Sequence, residues 1–153
     1  MIFVYLILAI NTLILIYIFE LYLFMAIDPT KIRVLCVDDY KTMLRIISNL
    51  MRQVGFVHID EALDGPTALV KLRSQPYDLI ISDWNMEPMT GLELLKTVRS
   101  DMRLQNIPFI MVTAESKSEN VVAAKQAGAT NYIVKPFNAH TLKSKIVSAL
   151  GEF

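Results

Sequence analysis

The stretch LIISDWNMEPMTGLELL, residues 79–95, runs four strand-like residues into a carboxylate, crosses a short loop and enters a helical pattern. Residues 79–82 read as a strand of a buried sheet, and Asp83 stands where that strand stops. An unpaired carboxylate is costly inside a fold, so Asp83 is either a turn or cap residue or part of a site that neutralises it. Thr90 followed by Glu93 is a capping box, which starts the third helix at GLELLKTVRS. Strand, loop and helix in this order form one repeat of a βα alternation, and the flanking sequence decides whether it recurs.

It recurs on both sides. Residues 32–37 read as the first strand, and Met43, Leu44, Ile47, Leu50, Met51 and Val54 follow at helical spacing, with Gly55 closing the helix. FVHID, residues 56–60, is the second strand. Asp64, Gly65 and Pro66 start the second helix, with proline in its first turn. Residues 107–113 give the fourth strand, 118–128 the fourth helix, 131–134 the fifth strand, and NAHTLKSKIVSAL the last helix, capped by Asn138. Strands rich in Val, Ile and Leu without polar alternation require a sheet covered on both faces, so the expected class is α/β with a parallel sheet.

Composition narrows the function classes. The 153 residues suffice for one domain with a sizeable core. Lys plus Arg and Asp plus Glu balance at 15 each, so no global basic field recruits nucleic acid. The single cysteine, Cys36, lies in an apolar run, which excludes an internal disulfide and fits a reducing, cytoplasmic compartment. Residues 1–27 hold no Lys or Arg, and only Asn11, Thr12 and Glu20 interrupt an apolar length sufficient to span a bilayer. A secretory signal fits poorly, because the basic n-region and the small-residue cleavage site are missing. Two readings of this segment stand. One is an uncleaved membrane anchor, with Lys31, Arg33 and Lys41 placing the remainder in the cytoplasm. The other is an overextended reading frame, with Met25 as the true start of a soluble domain.

In open α/β sheets, ligands bind beyond the carboxyl ends of the strands. The first strand ends in Asp38 and Asp39, the third in Asp83, the fourth in Thr113 and the fifth in Lys135. Taken singly, Asp38 or Asp39 is a helix cap, Thr113 a strand end and Lys135 a solvated charge. Their joint placement at four strand ends points instead to a pocket. Three carboxylates meeting there repel one another unless a cation intervenes. An all-oxygen ligand set that stays open for a phosphate selects Mg²⁺ over Ca²⁺. An ionised Asp is a competent nucleophile toward a phosphoryl group, with Asp83 as the acceptor and the metal, Lys135 and Thr113 supplying alignment and charge.

VDDYKTM, ISDWNMEPMTGLELLK, IMVTAES and YIVKPF together resemble the receiver domain of two-component response regulators, most closely its stand-alone chemotaxis members, over residues 31–153. The resemblance implies a flavodoxin-like (βα)5 fold, a doubly wound, parallel five-stranded sheet in the order 2-1-3-4-5, preceded by the hydrophobic N-terminal segment. It implies that Asp83 accepts phosphate from a histidine kinase. Mg²⁺ would be held by Asp39, Asp83 and the backbone carbonyl of Asn85, with Asp38 helping through water. Lys135 would pair with the phosphoryl group, Thr113 would bond to it, Tyr132 would swing inward, and Lys135–Pro136 would be cis. The implied output face joins the fourth helix, fifth strand and fifth helix through Thr113, Val121, Lys125, Tyr132, Val134 and Lys145. The implied partners are the kinase and a downstream protein such as the flagellar motor switch.

Two departures stand out. Glu87 occupies the place four residues after the acceptor where the family usually has proline, and Pro88 follows it. On the fourth helix, Lys125 lies where chemotaxis members carry a small alanine, and Ser118 replaces a lysine. The chain closes at Phe153 directly after the last helical pattern, so output is expected from a surface. A phosphate sink or relay intermediate is the alternative role. The chain is expected to be a phosphoacceptor rather than an enzyme. A haloacid-dehalogenase-type phosphatase, which also uses an Asp nucleophile, would need D-x-D where this chain has VDDYK. A flavodoxin-type carrier would need a Ser/Thr/Gly-rich loop in place of DDYKTM.

Overall fold

The computed structural model describes residues 12, 14–18, 27–114 and 118–153. Five strands form one parallel sheet: β1 Arg33–Val37, β2 His58–Ala62, β3 Leu79–Asp83, β4 Phe109–Thr113 and β5 Asn131–Val134. Their order is β2-β1-β3-β4-β5, the flavodoxin-like arrangement that the resemblance implied. The connecting helices are α1 Lys41–Gln53, α2 Gly65–Ser74, α3 Gly91–Ser100, α4 Ser118–Gln126 and α5 Ala139–Leu150.

The apolar strands without polar alternation do what a doubly covered sheet demands. Along β1, Leu35 and Val37 face one core while Val34 and Cys36 face the other. Along β4, Phe109 and Met111 oppose Ile110 and Val112 in the same way. The first core is closed by Ala68, Leu69 and Leu72 of α2 and by Leu94, Leu95 and Val98 of α3. The second is closed by Leu44, Ile47 and Met51 of α1 and by Leu142 and Ile146 of α5. Period-two alternation thus survives in the three central strands, but both phases are apolar.

The helix signals hold. Asp64 caps α2 by accepting the Thr67 N–H, and Asn138 caps α5 through the Thr141 N–H. Thr90 and Glu93 form the full capping box of α3. Gly55 adopts φ 105° just past α1, a left-handed conformation that glycine adopts without steric cost. Asp38 and Asp39 do not cap α1, because its N-cap position is Tyr40.

The strand boundaries shift. The second strand begins two residues later than FVHID predicts and runs on through Glu61 and Ala62. Phe56 is spent on the turn instead: its N–H donates to the Met51 carbonyl, its ring is fully buried, and Phe153 packs edge-on against it. The tail is tied to the lead-in by the Ile27 N–H, which donates to the Glu152 carbonyl at 2.8 Å. Ile107 and Pro108 precede β4 rather than belonging to it, although the Pro108 carbonyl still accepts the Ile80 N–H. Of residues 1–27, Thr12 and residues 14–18 are helical and exposed. Most of the anchor segment, and the alternative start at Met25, lie outside the described residues. Among the described residues no helix is long and apolar enough to cross a membrane.

The start of α3 is pressed onto the end of β3. The Gly91 N–H donates to the Trp84 carbonyl at 2.8 Å, and a Cβ at Gly91 would stand 2.0 Å from the Asp83 carbonyl oxygen. No rotamer relieves a clash with backbone. Gly91→Ala is therefore expected to lower the unfolding free energy by about 3 kcal/mol, the upper range for overpacking a tight site. A urea midpoint within error of wild type would show that the strand end and the helix separate freely.

Candidate functional site

The parallel sheet carries Asp38, Asp39, Asp83, Thr113 and Lys135 to its carboxyl edge, and Lys135 draws two of the three acids together. Its Nζ donates to Asp38 Oδ2 at 2.9 Å and to Asp83 Oδ1 at 2.6 Å. Both carboxylates are buried, Asp38 at 1% and Asp83 at 6% relative exposure. The remaining oxygens are held by backbone: Asp38 Oδ1 accepts the Tyr40 N–H at 2.9 Å, and Asp83 Oδ2 accepts the Asn85 N–H at 2.7 Å. Each acid therefore closes an Asx turn onto the residue two positions ahead. The two backbone donors went unnoticed in the sequence, although the i to i+2 geometry repeats at both strand ends and was available as a signal.

Main-chain bonds between strands keep these side chains in place. The Asp38 N–H donates to the Ala62 carbonyl, the Trp84 N–H to the Val112 carbonyl, and the Lys135 N–H to the Thr113 carbonyl at 2.7 Å. Thr113 is fully buried. Lys135–Pro136 is cis, as the resemblance implied, and so is Glu87–Pro88, which was not expected.

Electrostatics in the pocket pull two ways. Burial pushes the Asp83 carboxyl above its ordinary value, against the hydrogen bond and charge of Lys135, and the nearby Asp38 charge pushes the same way. Burial alone would lower the Lys135 ammonium, but the hydrogen bonds and charges of Asp83 and Asp38 outweigh it and hold Lys135 above the usual lysine value. The ammonium thus supplies part of the neutralisation that the two buried acids demand.

Asp39 is placed differently. It is exposed and lines an open cleft with Asn85, Met86, Glu87 and Thr90. Among the described residues no group of three His, Cys, Asp or Glu side chains is already gathered as a metal cage. The donors present at this edge are nonetheless all oxygen, the type a hard divalent cation takes, and Asp39 and Asn85 face open space. The donor chemistry fits Mg²⁺.

The expected output residues also meet. Val121, Lys125, Tyr132, Val134 and Lys145 line one cleft of about 490 Å³ between α4, β5 and α5. Thr113 is outside that cleft, but it is the register partner of Val134 across β4 and β5. Tyr132 is partly buried and packs against the first core.

A model of the response regulator receiver domain matches residues 34–147. The chemotaxis protein CheY of Pseudomonas aeruginosa is 52% identical over 114 residues, covering 74% of this chain and 92% of that protein. CheY-3 of Vibrio cholerae is 48% identical over 121 residues, covering 79% and 93%. Among solved structures, CheY4 of Vibrio cholerae superposes with a TM-score of 0.73 at 37% identity, covering 78% of this chain and 98% of that one. The response regulator TrrA of Thermotoga maritima, solved in complex with Mg²⁺ and BeF, gives a TM-score of 0.69 at 33% identity, covering 78% and 99%.

Removing the ammonium strands two buried carboxylates. Lys135→Met is expected to cost about 3 kcal/mol of stability at neutral pH, as for a broken buried ion pair. The sign of the pH dependence follows from the two shifts. A lysine raised in the folded state stabilises fully below its ordinary value, and that stabilisation fades as pH rises through its folded value. On the acid side Asp83 takes up its proton while pH is still above the ordinary Asp value, so the pair weakens there too. The stability gap between wild type and variant should therefore peak near neutrality and narrow at both extremes. A gap independent of pH in chemical denaturation would mean that packing, not charge, accounts for the loss.

Proposed function

Because this chain belongs to the response regulator receiver-domain family and is CheY-like across most of its length, we propose that Asp83 is its phosphoacceptor and that a histidine kinase supplies the phosphoryl group. The observation that carries this reading is the Lys135 ammonium bonded to both Asp38 and Asp83 at the carboxyl edge of the sheet. A phosphoryl group needs little covalent chemistry from a protein beyond alignment and charge, and this pocket is suited to both. Transfer forms a bond from phosphorus to an Asp83 carboxylate oxygen while the bond from phosphorus to the donor histidine nitrogen breaks. The departing electron pair stays on the imidazole.

The Asn85 N–H and Lys135 fix the plane of the acceptor carboxylate from two sides. Lys135 stays protonated throughout and is free to shift toward the arriving phosphoryl oxygens. The Thr113 hydroxyl is the further donor at that edge. Mg²⁺ would be held by Asp39, Asp83 and the Asn85 carbonyl, with Asp38 assisting. Neutralisation of the crowded carboxylates and the phosphoryl oxygens is what that ion supplies when bound.

The output we assign is a surface, the cleft lined by Val121, Lys125, Tyr132, Val134 and Lys145. Its target is a protein, with the flagellar motor switch as the leading partner in a chemotaxis pathway. Thr113 connects pocket to cleft, because it ends β4 opposite Val134. A ligand shifts a conformational equilibrium only through contacts that differ between the states, and the bond from Thr113 to the phosphoryl group is such a contact.

Asp83→Asn keeps the volume and removes the nucleophile. It should abolish labelling by acetyl phosphate or by a phosphorylated kinase, and chelating the divalent ion should do the same to wild type. Label that persists on the variant and maps elsewhere would dismiss Asp83. Thr113→Ala should still accept phosphate, but the phosphorylation-dependent amide NMR shifts of residues 121–134 should largely disappear. Shifts of wild-type size would remove Thr113 from the switch.

A further inference from the structure

We propose that Glu87 is a positioning residue for the divalent cation of this site, a rim carboxylate that raises the affinity of the cleft for Mg²⁺ without touching the phosphoryl acceptor. The inference rests on the Mg²⁺ reading above and adds a residue to it. Glu87 and Asp39 line the same cleft, together with Asn85, Met86 and Thr90. Both acids are exposed, and neither makes a hydrogen bond or ion pair with the described residues.

The other acids nearby are already committed. Asp38 and Asp83 share Lys135, and Glu93 is spent on Thr90, whose backbone N–H and hydroxyl both donate to its Oε2. Among the described residues no lysine or arginine lines the cleft. Two free carboxylates on one opening, with no basic side chain among its described lining residues, leave a negative field where the ion would enter. An uncompensated pair of like charges is unfavourable by itself and becomes favourable once a cation sits between them.

Mg²⁺ surrenders its water reluctantly and keeps several water ligands, so a carboxylate one water away acts by accepting hydrogen bonds from those waters and by its charge. Glu87 is on the exposed side, where solvent and salt screen it. Its removal is therefore worth about threefold in affinity at low ionic strength, and less as salt rises.

Trp84 is the sole tryptophan of the chain and directly follows Asp83, so its emission reports on the site without a label. The experiment titrates MgCl₂ into the purified full chain and into Glu87→Gln, Glu87→Asp and Asp39→Asn. It follows Trp84 emission and, independently, the Mg²⁺-dependent rise in melting temperature that binding to the folded state produces. Without Mg²⁺, Glu87→Gln should melt no lower than wild type, since the exposed side chain makes no hydrogen bond to lose and its charge adds repulsion to Asp39.

The expected result is a dissociation constant about threefold higher for Glu87→Gln in low salt, near wild type for Glu87→Asp, and a gap that closes in 0.5 M KCl, where the Debye length is about 4 Å. Equal constants for wild type and Glu87→Gln at both salt concentrations would overturn the role of Glu87 and leave the Mg²⁺ site standing. Absence of saturable binding to wild type by both readouts, or undiminished binding to Asp39→Asn, would instead overturn the Mg²⁺ reading on which the inference rests.

Discussion

The ammonium of Lys135 between Asp38 and Asp83 is the interaction on which the carboxyl edge of this molecule depends. It joins the ends of β1 and β3 to the residue that follows β5, across the width of the sheet. Desolvating three charged groups is expensive, and replacement by apolar side chains of similar volume is often neutral or stabilising in folded proteins. A fold selected for stability alone would have little use for it. The cluster makes sense as a site whose charge balance is meant to be changed by a bound ion or an arriving anion.

The rest of the architecture serves to make that cluster tolerable. Both cores are apolar, with the strands contributing to each face in turn. Backbone bonds from strand to strand fix Asp38, the end of β3 at Asp83 and Lys135 before their side chains are considered. The Asx turns at Asp38 and Asp83 then saturate the oxygens that Lys135 does not reach, so that no buried side-chain polar atom is left without a partner among the described residues. Gly91 lets the start of α3 lie directly against the end of β3. Pre-organisation of this kind costs no reorganisation when a charged group arrives.

Pocket and distal cleft share β5. Thr113 and Val134 are register partners, and Lys135 follows Val134 directly, with its N–H bonded to the Thr113 carbonyl. Lys135 therefore sits next to the strand whose Tyr132 and Val134 line the cleft with Val121, Lys125 and Lys145. Lys125 and Lys145 give this cleft a basic rim.

Much was legible in the sequence because it was local. Helical spacing and caps placed the helices within a few residues, and the capping box at Thr90 and Glu93 is present in full. Uninterrupted Val, Ile and Leu identified the central strands, and the strand-end rule picked out the acids, the threonine and the lysine. The edge strand β2 was misplaced by two residues, since its exposed residues carry no apolar signature and Phe56 is drawn into the core from the preceding turn. What only the tertiary structure decided is how the charges pair. Residues 97 and 52 positions apart in sequence come within hydrogen-bond reach, and which of two adjacent aspartates takes the lysine depends on strand pleat and register. Asp38 turns inward to the ammonium, and Asp39, one residue on, faces the open cleft beside Glu87, because successive residues leaving a strand point to opposite sides.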